Sequence, residues 1–190
     1  MQNSIDDYLS YHFLNNSTMK FIAAAFVCFV LCLQGRAEND ERGYIVKIGD
    51  QAPDIQILYT DGTQKNLSDF RGKTVMLQFT ASWCGVCRKE MPFIEKDIWL
   101  KHKDNPKFAL IGIDLKESRE KTMQFAKDLK VTYPLTLDPE GKAFYSFAEQ
   151  DAGVTRNVII DPEGKIVMMT RLYDPAEFER MCRFIDQLLK

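Results

Sequence analysis

The spacing of apolar positions changes several times after residue 49, and each change marks an element. Ile55 to Tyr59 reads as a short strand, Asp61-Gly62 as a turn, and the next residues as a second short strand. A helical turn near Leu67 to Phe70 follows. The run TVMLQF, Thr74 to Phe79, reads as a buried strand that leads directly into a stretch of helical composition, CGVCRKEMPFIEKDIWLKHK. In that stretch Phe93, Ile94 and Ile98 supply an apolar stripe, and Pro92 predicts a kink. KFALIGIDL, Lys107 to Leu115, is nearly continuously apolar, as expected of a strand covered on both faces. SREKTMQFAKDLK then predicts a helix capped by Ser118. TYPLTLD predicts a strand, DPEG (Asp138 to Gly141) a turn, and KAFYSFAEQ a short helix. A second DPEG, Asp161 to Gly164, lies between NVII and KIVMMT and predicts a hairpin. Phe178, Met181, Cys182, Ile185, Leu188 and Leu189 fall on one face of a last helix. This order predicts an α/β sandwich around a mixed central sheet. The repeated DPEG is read as shared turn chemistry, not as a duplicated domain.

Residues 1–37 follow a different pattern. Phe21 to Leu33 (FIAAAFVCFVLCL) is an apolar run directly preceded by Met19 and Lys20. A helix crossing a bilayer takes about 20 apolar residues, so the run fits the core of a signal peptide better than an anchor. Gly35 and Ala37 stand at the −3 and −1 positions for cleavage after Ala37. Val27 and Leu31 precede Cys28 and Cys32, where a lipoprotein box needs a small residue. Residues 1–18 carry no Lys or Arg, which points to Met19 as the true start. The expected organisation is a leader over 1–37, a linker over 38–48 and one domain over 49–190, exported to the periplasm or an equivalent extracytoplasmic space.

Composition narrows the chemistry mainly by exclusion. With 25 basic and 27 acidic residues among 190, evenly spread, the chain has no electrostatic footprint for nucleic acid and no polybasic membrane patch. Removal of the leader takes Cys28 and Cys32 with it and leaves Cys84, Cys87 and Cys182. Outside the cytosol one disulfide and one leftover thiol are then expected.

The stretch TASWCGVCRKEMP holds the two closely spaced cysteines. A structural zinc site needs four ligands, and the chain adds only Cys182, His12 and His102, none at suitable spacing. No His or Met is placed for copper either, so neither metal nor cofactor is expected. As a staple the pair would close a ring of about four residues, which is worth little in loop-closure entropy. Redox chemistry is the better explanation. A strand ending at Trp83 puts Cys84 at a helix N-terminus, where unpaired N–H groups and the dipole stabilise a thiolate. Cys84 is then the nucleophile and Cys87, one turn on and less exposed, the resolving thiol. Arg88 and Lys89 are expected to lower the thiolate pKa only a little, because their exposure to solvent screens them.

The motif resembles the extracytoplasmic TlpA/ResA-type proteins of the thioredoxin-like superfamily, whose pattern W-C-x-x-C-[R/K]-x-E-x-P is matched by Trp83, Cys84, Cys87, Arg88, Glu90 and Pro92. IGDQAPDIQILYTDGTQKNLSDFRGK before it and NVIIDPEGKIV after it extend the resemblance over roughly residues 48–190. The resemblance implies a thioredoxin-like fold with an N-terminal β-hairpin extension and helices flanking the mixed sheet. It also implies thiol-disulfide exchange with exported proteins, apocytochromes among them, and an electron donor. Trp83, Gly85, Val86 and Thr155 are the expected substrate contacts.

Two positions depart from the family pattern. Thr155 stands where thioredoxin-fold proteins carry a cis-proline facing the dithiol. A cis bond before a non-proline residue costs about 3–4 kcal/mol, so a trans or strained loop is expected. The neighbouring Arg156 is expected either on the solvated surface, the favoured reading, or projecting toward the thiolate. Gln78 replaces the buried acid of thioredoxins and cannot take a proton, so water or another acid must. Cys182 is expected to be buried and inert. Two alternatives stand beside the oxidoreductase: a peroxiredoxin-like peroxidase, although Leu77 and Ala81 occupy its P-x-x-x-T-x-x-C positions, and a non-catalytic binding module, although both cysteines are present.

Overall fold

The computed structural model describes residues 42–190; the expected leader, cleavage site and start at Met19 lie outside the described residues. Strand β1 (Gln56–Tyr59) and strand β2 (Gln64–Asn66) form an antiparallel hairpin around Asp61-Gly62, with Gly62 at φ 91°. A 3-10 turn over Leu67–Phe70 leads to β3 (Thr74–Thr80), every residue of which is buried. Helix α1 (Gly85–Ile94) follows, and then β4 (Phe108–Leu115), α2 (Arg119–Leu129), β5 (Leu135–Asp138) and the short α3 (Lys142–Tyr145). The hairpin β6 (Arg156–Ile160) and β7 (Ile166–Arg171) and helix α4 (Pro175–Leu188) end the chain.

The strands form one mixed sheet in the order β2-β1-β5-β4-β3-β6-β7. β3, β4 and β5 are parallel, and β1 and β6 pair antiparallel with β5 and β3. Parallel neighbours need crossover helices, and right-handed crossovers put α1 and α2 on the same face. Contacts agree: Thr80 touches Met91 of α1, its pairing partner Asp114 touches Thr122 of α2, and Thr170 of β7 meets Met181 of α4. Phe79, between Gln78 and Thr80, points to the other face and packs on Phe144 and Phe147.

Several elements differ from expectation for local reasons. β5 begins at Leu135 rather than Thr132, because Pro134 has no N–H for the ladder and contributes only its carbonyl, to Gly112 N–H. α3 stops at Tyr145 because the backbone beyond it pairs with the N-terminal segment. Ile45 N–H bonds the Phe147 carbonyl and Tyr44 bridges Ala148. Arg42 to Ile48, within the stretch read as linker, is thereby held on the domain, and Tyr44 and Val46 are buried. Beyond Pro92 the helix widens into a π turn over Glu95–Trp99 before a last α-helical turn at Leu100–His102. The two DPEG turns share their chemistry: Gly141 and Gly164 adopt φ 77° and 88°, and each donates to the carbonyl of its Asp.

Candidate active site

Strand β3 is anchored on both sides in the sheet and delivers Ala81-Ser82-Trp83 to the start of α1. Cys84 is the N-cap: its backbone is extended, and its Sγ accepts the Cys87 N–H at 3.2 Å. An N-cap side chain satisfies one of the four orphan N–H groups of a helix start, and here that side chain is a thiol. Cys84 and Cys87 are disulfide-bonded, with Cα atoms 5.3 Å apart. Cys87 is fully buried while Cys84 retains 9% exposure at the surface. Trp83 beside it is 67% exposed, Gly85 is exposed and Val86 is half-buried.

Thr155 faces the pair from the loop before β6, and its Oγ1 lies 3.1 Å from Cys84 Sγ and 3.2 Å from Cys87 Sγ. The peptide bond preceding it is trans, as are all others among the described residues. Arg156 takes neither of its expected places. It is fully buried, with its guanidinium 4.4 Å from the Tyr44 ring centre and Nη2 donating to the Arg42 carbonyl at 2.7 Å. The reason is register: Arg156 pairs with Phe79, so it shares the sheet face opposite to α1, where Tyr44 covers it. Cys182 is half-buried instead of buried, and burial, with Asp97 and Asp186 adding, pushes its thiol up to about 11.

Beneath the dithiol lies a polar layer. Gln78 is fully buried and accepts the Tyr133 hydroxyl at 2.7 Å. Glu90, three residues after Cys87 and so on the same helix face, is 1% exposed. Its Oε1 accepts from Asn157 Nδ2 at 2.8 Å, and Asn157 also reaches Thr170. Burial raises the Glu90 carboxyl to about 7, against the opposing pull of the Asn157 and Gln78 amides. The buried carboxyl of this layer thus stands on the helix, beside Gln78, and not at position 78.

An acidic pair, Glu117 and Asp114, lies beside the approach to Cys84. Glu117 accepts the Ser82 N–H at 2.5 Å and the Ser82 hydroxyl at 2.6 Å. Burial alone would raise its carboxyl, but the two Ser82 donors hold it low. Neighbouring Asp114, fully buried and bonded to Thr122, is raised to about 7 by burial, with Glu117 adding to the effect. Arg88 donates to the Ser82 carbonyl at 2.6 Å and lies over Phe125. Lys89 lies over Tyr173, which stacks on Phe93 beside the site. Motif reading named Glu90 only as a match to the pattern and passed over Asp114 and Glu117. A usable signal existed: Asp114 interrupts an apolar strand, and Glu90 interrupts the buried stripe of α1.

The Redoxin family profile matches residues 47–182. The chain belongs to the Redoxin family. Within it the protein is a TlpA/ResA-type, thioredoxin-like thiol-disulfide oxidoreductase with a Cys84–Cys87 pair. It is 28% identical over 134 residues to the thiol-disulfide oxidoreductase ResA of Bacillus cereus, covering 70% of this chain and 73% of that one. ResA of Oceanobacillus iheyensis is 30% identical over 68% and 67% of the two chains. Among solved structures, a Bacteroides thetaiotaomicron protein described as a protein disulfide isomerase is 65% identical, with TM-score 0.75 over 77% of this chain and 92% of that one. A Chlorobium tepidum protein described as the thiol:disulfide interchange protein DsbE is 28% identical, with TM-score 0.66 over 76% and 99%.

Proposed function

We propose that the protein works outside the cytosol as a reductase of disulfides in exported proteins, with Cys84 attacking and Cys87 resolving. The observation that carries this reading is the asymmetry of the pair: an N-cap sulfur that keeps a small exposure beside exposed Trp83, and a second sulfur with none. The Cys84 thiolate attacks one sulfur of the substrate disulfide and expels a substrate thiolate. Cys87 then loses its proton and attacks Cys84 Sγ, expelling the second thiolate and leaving the protein pair oxidised. Two electrons pass to the substrate, and a dithiol donor restores the pair. Glu90, one turn from Cys87 on the buried face and raised to about 7, is partly ionised at neutral pH, and its carboxylate is the base that takes the Cys87 proton. Trp83, Gly85, Val86 and Thr155 form the surface against which the substrate segment lies, and the leader ending at Ala37 directs export.

The test is turnover of insulin and of an oxidised cytochrome-type Cys-x-x-Cys-His peptide by reduced protein, beside peroxide turnover. Reduction of both disulfides, loss of activity in Cys84→Ser and trapped mixed disulfide in Cys87→Ser are the expected results. A reduction potential near about −270 mV accords with a reductase, and one near about −120 mV overturns that direction. Peroxide turnover without disulfide reduction overturns the whole reading. The mature N-terminus of the exported protein is expected at Glu38.

A further inference from the structure

Two hydrogen-bond donors among the described residues reach the sulfurs of the pair: the Cys87 N–H and the Thr155 hydroxyl. The hydroxyl is the only one of them that touches both sulfurs. Thr155 is 2% exposed, so water does not compete for it. Its position is set by the backbone on both sides. Its carbonyl accepts the Leu172 N–H at 3.0 Å, and the next residue, Arg156, is locked into β6 opposite Phe79. A β-branched side chain is stiff at χ1, so the oxygen is held in place before any substrate arrives.

A hydroxyl has one proton and two lone pairs, so it serves two sulfurs only in a directed chain. Between two oxidised sulfurs the proton has only weak acceptors. Once the pair is reduced the demands differ: with Cys84 as the attacking thiol, the sulfur at the helix start is the one to ionise and the fully buried one the one to keep its proton. We propose that Thr155 is a catalytic residue of the reduced enzyme, its Oγ1 accepting from the Cys87 S–H while its own proton is donated to the Cys84 thiolate. The proposal rests on the reading of Cys84 as the attacking thiol. No covalent step involves Thr155; it sets which sulfur is ionised and how readily.

The charged groups near the pair are engaged elsewhere. Arg88 is turned to Ser82 and Phe125, Lys89 to Tyr173, and Arg156 to Tyr44 on the other sheet face. Glu90 lies below on α1, and Glu117 holds Ser82. None of their charged atoms has a hydrogen bond to sulfur, so the hydroxyl is the side chain through which the thiolate is stabilised directly.

Thr155→Val preserves the branched shape and deletes the hydroxyl, Thr155→Ala deletes it with more space, and Thr155→Ser restores it. Thiolate absorbance against pH and iodoacetamide labelling mapped by mass spectrometry read the Cys84 pKa in each reduced protein. A hydrogen bond to a charged group supplies a roughly ten- to hundredfold effect, so Val and Ala are expected to raise the Cys84 pKa by about one to two and Ser to return it near wild type. The reduction potential of the Val variant moves about 30 mV more negative for each tenfold loss of thiolate stability. Val and Ala variants that label at rates within about twofold of wild type, under conditions where the wild-type thiolate is half formed, overturn the proposal. A purely structural role would shift melting and leave the pKa in place. Labelling of wild type at Cys87 instead of Cys84 would refute the assignment of the nucleophile, a result distinct from an unmoved Cys84 pKa.

Discussion

Replacing Glu90 by Gln tests whether a buried, protonatable carboxyl lies under the dithiol. In the folded protein burial holds this carboxyl at about 7, whereas an unburied glutamate has 4.5. The native state therefore binds more protons than the unfolded chain between these values. The stability associated with Glu90 is complete below about 4.5, is lost progressively as pH rises, and levels off above about 7. At about 1.4 kcal/mol for each tenfold change in proton affinity, the loss amounts to about 3 kcal/mol. Gln cannot ionise, so the variant escapes that loss. Its Oε1 still accepts from Asn157, and any cost of repacking its amide against Gln78 is the same at every pH. Urea unfolding of the oxidised proteins, from about pH 5 to about pH 8, gives the difference in stability between variant and wild type. The difference is expected to move by about 2–3 kcal/mol in favour of Gln across that range. Asp114, also raised to about 7, is present in both proteins and cancels. Keeping the pair oxidised removes the cysteines from the titration. A flat difference, or one that favours the wild type as pH rises, would refute the buried acid.

Glu117→Gln removes the charge that accepts both Ser82 donors; a loss of about 1–3 kcal/mol at neutral pH and faster hydrogen exchange of the Ser82 amide are expected. Gly112→Ala puts a methyl 2.3 Å from Leu135 Cδ2 and 3.2 Å from Tyr133, and overpacking of this kind costs about 1–3 kcal/mol in urea unfolding. Cys182, with its thiol raised to about 11, stays unlabelled by iodoacetamide at neutral pH while reduced Cys84 reacts, and Cys182→Ser keeps full reductase activity.

The strands were legible because burial on both faces writes itself as an unbroken apolar run, as in β3 and β4. The dithiol was legible from spacing alone: two cysteines three apart after such a strand fall on the first turn of a helix. Boundaries failed where a distant segment intervened. Nothing in KAFYSFAEQ announces that Phe147 and Ala148 will pair with Tyr44 and Ile45, so α3 read longer than it is. The same Tyr44 explains Arg156. A charged residue in a short apolar strand reads as surface, until an aromatic from the other end of the domain covers it.

The acids were missed for a different reason. Reading by periodicity treats an isolated polar residue in an apolar stripe as noise, yet a buried carboxyl costs several kcal/mol unless it is paired or kept neutral. Glu90 in α1 and Asp114 in β4 both accept that cost, and both flank the strand that leads to Cys84. Gln78, Asn157 and Thr122 supply uncharged partners, which leave the carboxyls protonatable near neutrality, where a lysine or arginine would have fixed them as anions. Thr155 follows the same logic above the dithiol. An uncharged donor there stabilises a thiolate when one forms without holding a permanent charge against the oxidised pair.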